Sequence, residues 1–117
     1  DQFAKWIAPT FRAHRANDAE TLAVMKRIYG ESGMLVDPHT AVGIASAEAC
    51  AEPGVPTITL ATAHPAKFPE AVDAAVGAPV ARHERLERLR GLPARSTPVP
   101  ASLQAIRDFI ETHAARR

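Results

Sequence analysis

The chain of 117 residues contains one cysteine, Cys50, so no internal disulfide framework holds it together. Aromatic residues are 5% of it, and only 29 positions carry Val, Leu, Ile, Met, Phe, Trp or Tyr. Twenty-four alanines make up much of the 46% hydrophobic content, which predicts a core of closely packed helices rather than one of large side chains. No apolar run approaches the roughly 18 residues a membrane helix needs. The start, DQFAKWIAPTF, is no signal peptide and lacks an initiator Met, so the sequence reads as a processed chain or a cut piece. There is neither a GxGxxG nor any other Gly-rich phosphate loop, and no HxxxH or CxxC spacing supports a metal. With 23% charged residues and a net charge of +1, disorder by charge repulsion is also excluded. A cytoplasmic, Ala-rich globular chain is the expectation.

The near-neutral balance conceals an asymmetry. Residues 1–81 hold six Lys/Arg and nine Asp/Glu, whereas 82–117 hold eight Arg and four acids. A basic tail is one mark of a nucleic-acid surface. Here Glu84 and Glu87 alternate with Arg82, Arg85, Arg88 and Arg90, and no aromatic side chain stands nearby to stack on a base. A solvated helix face is the better reading, and no nucleic-acid partner is expected.

Local signals divide the chain. Asn17 and Glu20 form a capping box before Leu22, Met25, Ile28 and Tyr29, which share a helix face ended by Gly30 or Gly33. Met34-Leu35-Val36 is a short apolar run, a doubtful strand. Asp37-Pro38 opens a second helix, to Ala51, of mostly small residues that admit a close backbone neighbour. Val55 to Leu60 is β-branched and bounded by turn signals, the one clear strand (55–60). Further helices are predicted through Val72, Ala75 and Val76, over about 82–90, and from Ser102 with Leu103, Ile106, Phe109 and Ile110 on one face. Residues 93–100 hold three prolines and read as a linker before the last helix.

The fold class that follows is α/β: a predominantly helical fragment with one clear strand, part of a larger parallel-sheet domain. A lone strand leaves backbone groups unpaired, and a strand followed by a crossover helix calls for a parallel neighbour. Either further strands go unread in the sequence, or its partners belong to another chain or to a missing segment, and the second is the better reading.

Two polar stretches stand out: Asp37-Pro38-His39-Thr40-Ala41-Val42-Gly43, and Thr62-Ala63-His64-Pro65-Ala66-Lys67-Phe68 at the carboxyl end of the strand. Ligands of open α/β sheets sit beyond the carboxyl ends of strands. Thr62 is placed to offer a hydroxyl there, and Lys67 a positive charge. Thr62 also reads as a strand-end residue satisfying a backbone group, Lys67 as half of an ion pair, and His64 as a loop-fixing hydrogen-bonder. His14, His83 and His113 read as solvated, Cys50 as a small buried hydrophobe, and Ser32 as part of a helix-end turn rather than a nucleophile elbow.

The pair D-P-H-T-A-V-G and T-A-H-P-A-K-F, about twenty residues apart, resembles the carboxyl-terminal part of threonine synthase. The R-x-N-D-A-E-T-L segment, L-P-A-R and the closing Ile-Arg-Asp-Phe-Ile are similar too, so the resemblance covers nearly all of 1–117. It implies the carboxyl-terminal part of the large domain of a pyridoxal-phosphate (PLP) enzyme of the tryptophan-synthase-β class. Such an enzyme is a carbon–oxygen lyase that converts O-phospho-L-homoserine and water to L-threonine and phosphate. The resemblance puts the Schiff-base lysine and the phosphate-cradling loop in an amino-terminal part outside this chain. The fragment alone is therefore expected to be inactive and to bind no PLP, and the missing part is its partner. The resemblance implies that Thr62 faces the cofactor's ring nitrogen, that His39 and Thr40 line the same cavity, and that His64 and Lys67 are candidates for substrate contacts. Other readings are a small stand-alone helical interaction domain without catalysis, or a related PLP lyase acting on another amino acid.

Overall fold

The computed structural model describes residues 1–114. Helix α1 (Gln2–Trp6) is short and buries nothing. Helix α2 (Asp18–Ser32) starts as the capping box predicts: Asn17 Oδ1 accepts from the Glu20 N–H at 3.0 Å, and the Glu20 carboxylate accepts from the Asn17 N–H at 2.8 Å. Gly33 stops it, at φ 71°, where a side chain would be strained. Helix α3 (Pro38–Cys50) opens on Asp37, with Pro38 in the first turn. A 3-10 turn (Pro65–Lys67) leads into α4 (Pro69–Val76). Helix α5 (Glu84–Glu87) is one turn where the spacing predicts a helix over 82–90, and α6 (Leu103–His113) is capped by Ser102.

Helix α2 lies against both α3 and α4. The buried apolar residues are Met25, Val36, Ala41, Val72, Ala75 and Ala81, with Leu22, Ile28 and Ile44 packed partly around them. Half of that buried set is alanine, the close packing that the composition predicts. Burial of Met25 and Val72 contributes about 1.5–3 kcal/mol each. Arg27 bridges α2 to α3 through Glu48 at 2.6 Å.

The strand expected over 55–60 is not formed, and no strand occurs among the described residues. The α/β expectation is thus corrected to a helical chain. The cause lies in pairing rather than propensity, because a ladder needs a second strand. Among the described residues no amide of 57–61 donates to another backbone carbonyl, and Ile58 and Leu60 are 84% and 77% exposed. Met34–Val36 is no strand either; Val36 is buried in the core instead. The unpaired segment still runs close to the small-residue face of α3, where a Cβ on Gly43 would lie 3.3 Å from the Thr59 methyl. The apolar face of α6 is exposed at Leu103, Ile106 and Ile110, not packed as core. Residues 93–100, between α5 and α6, form no regular element. The radius of gyration is 19.6 Å, whereas a compact domain of this length has about 13 Å.

Candidate functional site

Asp37 joins the two polar motifs. As the cap of α3 it is completely buried. Its Oδ1 accepts from the backbone N–H of His39 at 3.0 Å and of Thr40 at 3.4 Å, and faces Nδ1 of His39 at 3.2 Å. Its Oδ2 accepts from the Thr40 hydroxyl and from the Ala63 N–H, the latter at 3.3 Å. The Thr40 oxygen in turn accepts from the Thr62 N–H at 3.1 Å. The start of α3 thus holds two consecutive amides at the end of the unpaired segment. Burial by itself pushes the Asp37 carboxyl up. Hydrogen bonds from the Thr40 hydroxyl, the His39 and Thr40 N–H groups and the His39 ring outweigh it, and the pKa lies below the ordinary 3.8.

Thr62 is exposed, and its hydroxyl oxygen stands 3.5 Å from that of Thr40. Thr40 is itself buried, with its proton directed to Asp37 and its oxygen to the Thr62 amide. His39 has an exposed ring, oriented by Asp37 and set against Phe68 with centroids 5.0 Å apart. The Nδ1 of His64 accepts from the Ala66 N–H at 3.1 Å and so caps the 3-10 turn, the geometry of the loop-fixing reading. Lys67 ends that turn, exposed, and makes no ion pair among the described residues. Asp37, Thr40, Thr59 and His64 also line an apolar cleft of about 420 Å³ beside α2; Thr62, His39 and Lys67 stand outside it.

Two residues at the site escape the sequence reading. Asp37 is legible as a helix start but not as the acceptor for Ala63, since that contact spans 26 positions. His83, expected to be solvated, is half-buried, caps α5 and meets the ring of His64 edge-on at 4.6 Å. Histidine is an uncommon cap, and no local pattern announces the contact.

The family model described as "Threonine synthase, C-terminal" matches residues 40–110. Threonine synthase of Pseudomonas aeruginosa is 38% identical over 108 residues, 91% of this chain and 23% of that protein. The Escherichia coli threonine synthase is 34% identical over 100 residues, covering 86% of this chain and 23% of that protein. Among solved structures, PLP-bound threonine synthase from Brucella melitensis superposes with a TM-score of 0.74 at 33% identity, covering 96% of this chain and 24% of that one. The E. coli structure gives 0.78 at 29% identity, covering 96% and 26%. The architecture is that of the carboxyl-terminal portion of a larger enzyme. The chain belongs to the threonine synthase family. It spans about a quarter of the length of the relatives it matches.

Proposed function

We propose that the chain is the carboxyl-terminal part of the large, parallel-sheet domain of a cytoplasmic PLP-dependent carbon–oxygen lyase that converts O-phospho-L-homoserine and water to L-threonine and phosphate. The reading is supported by the family match and by the PLP-bound Brucella relative. The observation that carries it is the Asp37–Thr40 clamp on Thr62 and Ala63. It fixes the backbone of Thr62 while leaving that side chain exposed, as a residue that reaches toward a ligand needs to be.

When bound, PLP supplies an electron sink for carbanions at the substrate. The residues of this chain fit it at one position. A hydroxyl at Thr62 can donate to or accept from the ring nitrogen, and unlike a carboxylate it does not hold that nitrogen protonated. His39, with its ring fixed by Asp37 and Phe68, and Lys67, at the end of a capped turn, offer donors to the phosphate or carboxylate of the substrate. His64 holds the turn. Residues 55–60 become an interior strand once the rest of the domain supplies neighbours, and 93–100 link it to the last helix. A stand-alone interaction domain is the weaker reading, because it would leave the amides of 57–61 without backbone partners.

The test uses the full-length enzyme with Thr62→Val, which keeps the shape and removes the hydroxyl. The rate of phosphate release should fall about ten- to a hundredfold at saturating substrate with KM little changed. An unchanged kcat would sink the role of Thr62. The 117-residue chain mixed with PLP should release phosphate from O-phospho-L-homoserine no faster than PLP alone.

A further inference from the structure

The turn that carries Lys67 is held from outside its own segment. His64 caps it through Nδ1, which accepts the Ala66 N–H at 3.1 Å. The ring of His64 therefore has one orientation, and His83 meets it edge-on, with centroids 4.6 Å apart and planes at 75°. His83 is fixed in its turn. Its own Nδ1 accepts the Arg85 N–H at 3.2 Å. Just before it, Asp73 of α4 accepts from the Ala81 N–H at 2.9 Å and pairs with Arg82 at 3.3 Å, while Ala81 is buried in the core. The chain of supports thus runs from α4 through residues 81–83 to the His64 ring and on to Lys67.

We propose that His83 is a positioning residue for the substrate's anionic group: its ring braces His64, and through the His64 cap it sets where the Lys67 ammonium stands. The inference rests on the reading of Lys67 as an anion contact. Edge-to-face aromatic pairs contribute modestly to stability, but a displaced ammonium holds the substrate's anionic group less well in ground and transition state alike, which raises KM and leaves kcat unchanged. The bracing ring should therefore appear in substrate binding before it appears in the chemical step.

Two substitutions in the full-length enzyme separate the ring from the cap. His83→Asn retains a capping side chain for α5 and removes the ring; His83→Phe retains a ring against His64 and gives up the cap. His83→Asn should raise KM for O-phospho-L-homoserine roughly five- to tenfold with kcat within about twofold, and His83→Phe should leave KM within about twofold. The reverse pattern, equal KM rises in both, no KM rise in His83→Asn, or a loss confined to kcat each overturns the proposal. If His83→Asn fails to fold, His83→Ser, which also caps α5 and removes the ring, takes its place with the same expected KM rise, and no rise there overturns the proposal. Lys67→Gln separates the brace from the anion contact. A KM rise there with none at His83 overturns only the positioning role, whereas no rise at Lys67 overturns the anion contact beneath it.

Discussion

A carboxylate with no solvent exposure persists at Asp37 because hydrogen-bond donors replace the water it gives up. Removing it by Asp37→Ala leaves the Thr62 and Ala63 anchors incomplete and should lower stability by about 3 kcal/mol in urea unfolding. The sign of its pH effect follows from the depressed pKa. The folded form holds the carboxylate ionised below 3.8, so its contribution is whole above the unfolded value and fades as the pH falls through the folded one. The wild-type urea midpoint should thus hold steady down to about pH 5 and drop below about pH 4, with a shallower drop in Asp37→Ala. Identical pH profiles for the two would contradict the assignment. Asp37, Thr40 and Thr62 are visible as polar residues in an alanine-rich chain. The hydrogen bonds that tie Asp37 and Thr40 to the amides of Ala63 and Thr62 are not, because they close between positions more than twenty apart.

Helices were the legible elements, since their signals are local: Asn17 and Glu20, Asp37 before Pro38, and Gly33 and Gly77 at the ends. Residues 55–60 show the other case. Their side chains suit a strand, but a strand is a property of pairs, and the described chain holds no partner. Helix α3 carries a prediction that depends on this difference. In the chain alone, Thr59 lies on an unpaired segment and can yield to a methyl at position 43, which stands 3.3 Å away. Gly43→Ala should then raise the thermal midpoint, through about 0.5–1 kcal/mol of helix preference. In the full-length enzyme, where a formed sheet would hold Thr59 still, the same change should lower it. An equal effect in both would mean that segment 55–60 is no more constrained in the whole enzyme than here. Met25→Ala, by contrast, opens the core between α2, α3 and α4 and should cost about 2–4 kcal/mol in either setting.

At the scale of the whole molecule, α2, α3 and α4 are the helices that share a core among the described residues, together with Val36 and Ala81, and the radius of gyration of 19.6 Å reflects chain that extends beyond it. Exposed Trp6, Phe11, Ile58, Leu60 and Ile110 belong to that extended part. The clamp at Asp37 and Thr40 reaches into it, and this bears on assembly. A β-strand that slips by one residue turns every side chain to the opposite face. If residues 55–60 pair in the whole enzyme as proposed, they meet their neighbours with the register already chosen, because the amides of Thr62 and Ala63 are pinned by residues of the same chain. Closure of such a sheet would then have one fewer alignment to search, and a misaligned one would first have to break a buried helix cap.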